Sequence, residues 1–292
     1  MPLKSALMLS AAFIGAASAQ PTIPGYDFTR ASASYAGGMD LDDTAGEMEI
    51  YALDLRTALS KPIPLGGNLI ALPVIHYKGT RINFKDNNAA FPIQDEDVHS
   101  ISLSSFFIHS RAGSPWILGA WTRAELATDF QHINSDDFTF DLAAGVAYKL
   151  SDSFTVGFGG AVLNLNNEPE FYVGPAFDWR PNDCFRAGLY GPNVVVAWTP
   201  STDWELSLRG EAAGDEWNIR DAGGRSTTLN LDSYRLGLFV DRRLSGDLWL
   251  RVGGGMTMGN EIEYMTPNGR RLFNQEVDDG WFGEVALRLA TW

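Results

Sequence analysis

The residues of this sequence that could do chemistry are charged side chains that alternate with apolar ones along extended segments. Between positions 138 and 150, for example, Asp141 and Lys149 share one parity with alanine and glycine, whereas the other parity is apolar. A period of two places such charged residues on one face of a β-strand. The positions that we expect to line an interior in this way are Asp54, Arg56, Arg123, Glu125, Asp141, Arg209, Arg235, Arg251, Glu284 and Arg288.

This polar face has two interpretations, and the sequence leaves both open. Its acidic and basic side chains nearly cancel, so they would form either cross-strand ion pairs that fill an interior or the wall of a polar pore. Glycines on the same face, such as Gly145, Gly237 and Gly253, leave room beside large side chains and fit both interpretations.

Carboxylates also cluster between the extended segments, at Asp40, Asp42, Asp43 and Glu47, at Asp95, Glu96 and Asp97, at Asp136 and Asp137, and at Glu276, Asp278 and Asp279. Oxygen ligands at this density could hold Ca²⁺ or Mg²⁺ and so contact anionic lipopolysaccharide. None of the clusters has the EF-hand spacing with its glycine. We therefore interpret them as solvated loop charge and predict neither a metal site nor a cofactor.

The four histidines, His76, His99, His109 and His132, raise the alternative of an outer-membrane hydrolase that uses serine and histidine. His99 and Ser105 share a face, but six residues of strand separate them by roughly 20 Å. A nucleophile and its base must lie within hydrogen-bond reach. We predict that the protein is not an enzyme, and a lipid hydrolase remains a remote alternative that needs a histidine–serine contact across strands.

The beginning of the chain has the pattern of an export signal. Lys4 precedes an apolar run from Ala6 to Ala17, and the run ends in an Ala-x-Ala site at Ala19. This pattern predicts a cleaved signal peptide over residues 1–19 and a mature domain over 20–292.

The net charge of −14 argues against nucleic acid as a partner, since nucleic acid needs a basic surface. Cys184 is the single cysteine, so an internal disulfide is excluded.

The alternation continues almost to the C-terminus and predicts an all-β fold of about fourteen strands. We place them at 26–36, 47–59, 67–77, 97–110, 115–127, 137–149, 153–163, 170–179, 184–190, 193–199, 204–213, 228–242, 247–258 and 280–292. The region 184–199 could instead be one long strand, and twelve strands is the alternative count. Gly191-Pro192 favours a turn there, because proline lacks the donor that the interior of a β-ladder requires.

Two features favour a transmembrane up-and-down antiparallel barrel over a soluble one. Short connections alternate with longer polar ones, and a membrane barrel has short periplasmic turns and long outer loops. Aromatic residues on the apolar face lie beside the short turns, as expected for a girdle at a membrane–water interface. The girdle that we predict consists of Trp116, Tyr148, Phe154, Trp179, Trp198 and Trp204.

A proline-rich pair of segments resembles a known family. The run from Gly174 to Pro181, followed by the segment 192–200, resembles a family of bacterial outer-membrane β-barrels that is described as a domain of unknown function. The resemblance covers most of the mature chain. It implies a barrel in the outer membrane of a Gram-negative cell, and it implies no catalytic or ligand-binding residues.

We therefore expect an outer-membrane channel or transporter for small polar solutes. The alternative is a structural or surface-display barrel whose lumen is plugged by its own side chains. Fourteen strands would enclose a lumen wider than that of an eight-stranded barrel. The expected partners are outer-membrane lipid and lipopolysaccharide, small polar solutes, and the barrel-assembly machinery, for which the aromatic C-terminus at Trp292 resembles an insertion signal.

Overall fold

In a computed structural model, the chain is described over residues 27–42, 46–85, 95–131, 133–164, 169–220, 226–266 and 269–289. The predicted signal peptide lies outside these residues, as do Asp43, His132 and Trp292. Within these ranges, no helix is long and apolar enough to cross a bilayer.

Seventeen strands form one sheet. They are β1 (Thr29–Asp40), β2 (Glu47–Ala58), β3 (Ile63–Gly66), β4 (Leu69–Lys85), β5 (Glu96–Ser110), β6 (Trp116–Thr128), β7 (Phe138–Lys149), β8 (Phe154–Leu163), β9 (Glu170–Asn182), β10 (Phe185–Tyr190), β11 (Asn193–Ser201), β12 (Trp204–Ala212), β13 (Asp215–Arg220), β14 (Ser226–Ser245), β15 (Leu248–Met265), β16 (Arg271–Val277) and β17 (Gly280–Leu289). A short 3-10 helix, Ser135–Asp137, precedes β7.

Fourteen of these strands close an antiparallel barrel, because β1 pairs with β2 on one side and with β17 on the other. The other three, β3, β13 and β16, are short additions to this wall. The fourteen-strand prediction is confirmed, and the region 184–199 consists of the two strands β10 and β11. Gly191 takes a left-handed φ of 64° in the turn between them, a conformation that glycine adopts without a steric penalty.

The barrel is apolar outside and charged inside, which reverses the arrangement of a soluble protein. Leu103, Leu118 and Leu238 face outward and are 51%, 50% and 69% exposed. Asp241 and Arg251 face inward and are buried. A continuous apolar outer surface of this kind is stable in lipid and not in water. The fold is therefore a transmembrane β-barrel.

The described part of the interior contains two large clusters of buried apolar side chains and a small third one around Ala143 and Ala161. One, toward the long loops, is built from Met39, Met48, Ile82, Trp217, Leu229, Ile262 and their neighbours. The other, toward the short turns, includes Phe28, Leu72, Phe106, Ile108, Ile117 and Tyr190. The lumen is thus narrower than the strand number alone leads one to expect, because large side chains project into it from both ends.

Strand β13 forms part of this filling. It pairs with the N-terminal part of β14, where Trp217 is opposite Leu229. A single bridge joins Asn218 of β13 to Thr128 of β6. Six strands separate β14 from β6 in either direction around the barrel: β15, β17, β1, β2, β4 and β5 on one side, and β7 to β12 on the other. One short strand therefore connects opposite walls.

Candidate functional site

A polar cavity of about 280 Å³ lies inside the barrel. Eight of the ten predicted interior positions line it: Asp54, Arg56, Arg123, Glu125, Arg209, Arg235, Arg251 and Glu284. The other two, Asp141 and Arg288, are held beside it by ion pairs. The Nη2 atom of Arg123 lies 2.5 Å from Oδ2 of Asp141, and Nε of Arg288 lies 2.7 Å from Oδ1 of Asp241.

Charged contacts within and between strands neutralise much of the wall around β2, β4 and β6. Oδ2 of Asp54 lies 3.0 Å from both Nη2 of Arg56 and Nε2 of His76. Nη1 of Arg123 lies 2.7 Å from Oε2 of Glu125. The Asp54–His76 contact joins β2 to β4, and the Arg123–Asp141 pair joins β6 to β7, as one of the two interpretations of the sequence predicted. Asp54, Arg56, His76, Arg123 and Glu125 also line the cavity.

An ion pair connects the barrel wall to β13, the strand inside the barrel. Nζ of Lys78, on β4, lies 2.6 Å from Oδ2 of Asp215 at the start of β13. Both residues line the cavity, so the ion pair fixes the inner strand at the cavity's edge.

A second network lies on β12, β14, β15 and β17. Asp241 is fully buried, and its Oδ1 accepts hydrogen bonds from Nε of Arg251 at 3.0 Å and from Nε of Arg288 at 2.7 Å. Nη2 of Arg209 donates to Oε1 of Glu205 at 3.1 Å. Charged hydrogen bonds of this kind are strong in a site shielded from bulk water.

Glu211 and Arg235 are directly opposite each other on β12 and β14, and both line the cavity. Among the residues that the structure describes, no ion pair of 4.0 Å or less joins them. The guanidinium of Arg235 instead lies over the ring of Phe282, 5.1 Å from its centroid. Within the described part of the chain, Arg235 and Glu211 therefore face the cavity without an ion-pair partner within 4.0 Å.

Two residues before β1 also enter the interior, and the sequence pattern did not identify them. Oδ2 of Asp27 accepts from Nη1 of Arg251 at 3.1 Å, and its Oδ1 accepts from Nη1 of Arg288 at 3.3 Å. Phe28 is buried and meets Phe106 edge to face, with ring centroids 5.6 Å apart. Both lie in the predicted strand 26–36, where Phe28 shares the parity of Arg30 and Asp27 has the opposite parity. Alternation therefore gave no signal that the Asp27 carboxylate enters the interior.

The six predicted girdle residues lie on the outer face beside the short turns. Trp116 and Tyr148 are paired across β6 and β7, with ring centroids 4.7 Å apart. Phe154 is opposite Trp179 on the next two strands, and Trp198 lies on β11. Arg242 covers the ring of Trp204. They form an aromatic band along β6 to β12, and its role at a membrane interface remains a prediction.

Two of the loop carboxylates, those of Asp137 and Asp95, bind backbone N–H groups in or beside their own loops. Oδ2 of Asp137 accepts from the backbone N–H of Asn134 at 2.9 Å, and Oδ1 of Asn134 accepts from the N–H of Asp136 at 2.7 Å. Together they cap the 3-10 helix. Oδ1 of Asp95 accepts from the N–H of Phe84. In the part of the chain that the structure describes, no three carboxylate, imidazole or thiol groups converge on a cation site.

Two of the histidines contact groups other than serine. His76 contacts Asp54, as described above, and Nδ1 of His99 lies 3.0 Å from the hydroxyl of Tyr77. The ring of His99 is also stacked on that of Phe130, with centroids 5.0 Å apart. These contacts make both rings part of the packing between strands and loops.

Comparisons of structure find other membrane barrels. The crystal structure of an outer membrane channel from Pseudomonas putida F1 has 10% identity over 90% of this chain and 96% of the other, with a TM-score of 0.46. The toluene transporter TodX of Pseudomonas putida has 10% identity over 97% and 96%, with a TM-score of 0.34. The translocator domain of the autotransporter NalP from Neisseria meningitidis has 11% identity over 91% and 88%, with a TM-score of 0.32.

Sequence comparison identifies the family. No curated protein matches the chain. Residues 17–290 match the family model described as Domain of unknown function (DUF6268), which is nearly the whole chain. The chain therefore belongs to the DUF6268 family, whose members share this domain of unknown function.

Proposed function

We propose that the protein is an outer-membrane channel that conducts small polar solutes through a narrow, charged interior. The observation that carries this proposal is the cavity of about 280 Å³, walled by side chains of both signs inside a barrel whose outer face is apolar. A cavity of this size is slightly below the usual range of small-molecule sites, which begins at about 300 Å³. It therefore fits solutes with few heavy atoms.

The location in the outer membrane rests on physical arguments. The predicted export signal would carry the chain out of the cytoplasm, and a closed barrel satisfies every backbone hydrogen bond inside lipid. The aromatic band beside the short turns fits the interface with the periplasm. Outer-membrane lipid and lipopolysaccharide would then be its permanent surroundings. Heat-modifiable gel mobility and co-fractionation with outer membranes test this location, and recovery in the soluble periplasmic fraction would exclude it.

A structural barrel without transport is the second candidate. It is favoured by the apolar cluster around Trp217, a side chain that is 1% exposed and occupies the interior near the long loops. A filled interior of this kind stabilises a barrel without providing a path. The two candidates differ in whether solute passes between this cluster and the charged wall.

Single-channel recording of the refolded protein in planar bilayers separates the two candidates. We expect a small conductance with a mild preference for cations, because the acidic loops concentrate cations at one mouth. The preference should fade between 0.1 M and 1 M salt, as the screening length falls from about 10 Å to about 3 Å. Protein-free bilayers and heat-unfolded protein are the controls. A folded barrel that never conducts would establish the structural alternative.

A further inference from the structure

Asp27 binds two arginines of the barrel wall although it lies outside the wall itself. It precedes β1 by two residues, and its carboxylate contacts Nη1 of Arg251 on β15 and Nη1 of Arg288 on β17. The side chain of Arg251 is 1% exposed and that of Arg288 is 11% exposed. A carboxylate held by two buried guanidinium groups is bound in the manner of a ligand.

The charge of the wall explains why this position attracts an anion. Four arginines face this part of the interior, and three carboxylates of the barrel strands pair with them. The pairs are Arg30 with Glu284, Arg209 with Glu205, and Arg251 and Arg288, which share Asp241. Four cations against three anions leave an excess of one positive charge, and Asp27 neutralises it.

Donor groups remain available around the same position. Nη2 of Arg251 and Nε of Arg30 are buried, and neither has a hydrogen-bond partner in the described part of the chain. Both arginines line the polar cavity, and so does Asp27. A small anion in the cavity would therefore meet Arg251, one of the two guanidinium groups that hold Asp27, and Arg30 beside it. Arg288 lies next to the cavity, where the Asp27 carboxylate contacts it.

We propose that Arg251 and Arg288 form a binding site for the carboxylate group of a small solute, which Asp27 occupies as an internal ligand. The solute and the Asp27 side chain would compete for the same guanidinium groups. The inference rests on the proposed channel function for the delivery of that solute, whereas the site itself can be tested by binding alone.

Acetate is the appropriate probe, because it reproduces the methylene and carboxylate of the Asp27 side chain. The measurement is the thermal unfolding midpoint of the folded barrel in detergent, in sodium acetate and in sodium chloride of equal ionic strength at pH 7. We expect acetate to raise the midpoint of Asp27→Ala by several degrees over chloride, since a ligand that binds only the folded state stabilises it. Wild type should show no difference, because its own carboxylate fills the site.

Matched variants identify the site. Asp152→Ala removes a fully exposed carboxylate from the turn beside Lys149 and should behave as wild type. Arg288→Gln in the Asp27→Ala background should abolish the acetate effect. If Asp27→Ala does not fold, Asp27→Ser also leaves the space of the carboxylate empty and carries the same test. Equal acetate responses in Asp27→Ala and Asp152→Ala would overturn the proposal.

Conductance separates this inference from the channel function. If the barrel conducts, Asp27→Ala should shift the reversal potential toward anions, because the wall then has an excess positive charge. An unchanged reversal potential in a conducting barrel would contradict the site. If no variant conducts but acetate still stabilises Asp27→Ala, the binding site is supported and the channel function fails.

Discussion

The indole Nε1 of Trp217 donates a hydrogen bond to the hydroxyl of Ser100 at 3.1 Å, and both side chains are buried inside the barrel. Trp217 lies on β13, which pairs with β14. Ser100 lies on β5, a strand of the wall opposite β14. The contact joins residues 117 positions apart in the sequence. The contact lies in the part of the interior near the long loops. Whether solute can pass beside it distinguishes the proposed channel from the structural barrel.

Trp217→Ala should widen this part of the interior. We expect a conductance several times that of wild type, because the largest buried side chain of the apolar cluster is removed. The free energy of unfolding should fall by about 3–5 kcal/mol, as for other buried Trp truncations. Planar-bilayer recording and denaturant unfolding in lipid vesicles measure the two effects. Trp198→Ala is the control, since Trp198 faces outward and is 51% exposed. Unchanged conductance in a folded Trp217→Ala barrel would place the path elsewhere.

Alanine substitutions at Gly255 and Gly283 test how tightly the strands of the wall are packed. A Cβ atom on Gly255 would lie 2.0 Å from the backbone oxygen of Leu236, whereas a Cβ atom on Gly283 would meet nothing within 4 Å. Backbone atoms of a paired strand cannot move away cheaply, so we expect Gly255→Ala to lose about 1–3 kcal/mol of stability or more. Gly283→Ala should stay within about 0.5 kcal/mol of wild type. The fraction of heat-modifiable, folded protein and the denaturant midpoint measure both. Similar losses in the two variants would mean that steric crowding is not the cause.

Cys184 tests the orientation of the barrel. It is an exposed free thiol in the turn between β9 and β10, on the rim that carries the short turns. Short turns face the periplasm in barrels of this class, so the thiol should be protected in intact cells. We expect a membrane-impermeant maleimide to label it weakly in intact cells and strongly after the outer membrane is opened. Cys184→Ser is the control for labelling. Strong labelling of intact cells would show that the short turns face outward.

Asp27 makes the stability of the barrel depend on pH in a defined direction. Burial by itself raises the pKa of its carboxyl, but four surrounding arginines outweigh burial and hold the pKa well below its usual range. The charged groups that face it are Arg30, Arg209, Arg251 and Arg288, with Asp241 sharing two of them. A lowered pKa in the folded state stabilises the barrel above the unfolded value of about 3.9, and the contribution disappears as pH falls further below that value.

Comparison of wild type with Asp27→Asn isolates this contribution, because the other carboxylates titrate in both proteins. We expect Asp27→Asn to be less stable by about 1–3 kcal/mol at pH 7, as for a charged hydrogen bond, and equally so at pH 4.5. The difference should shrink toward pH 2. Denaturant unfolding at the three pH values measures it. A difference that is already lost at pH 4.5 would show that the arginines do not hold the carboxylate in its ionised form.

The sequence by itself determined the strands of the wall and the direction of their side chains. Alternation is a local property, since successive side chains of any strand point to opposite faces. Leu238 and Gly237 could therefore be assigned to the outer and inner faces without knowledge of their neighbours. The turn at Gly191-Pro192 was also readable, because both residues restrict the backbone locally. For the same reason the charged positions from Asp54 to Arg288 could be named in advance.

The tertiary structure decided what fills the interior. Strand β13 alternates over only six residues, and such a short segment does not reveal whether it extends a wall or crosses between walls. Its course depends on the apolar surface offered by Met48, Ile82 and Leu229, which come from different parts of the chain. Asp27 meets Arg251 across 224 positions, a pairing that arises only because β1 closes the barrel against β17. Contacts across a closed sheet depend on its closure and on the packing within it, and neither property is local in the sequence.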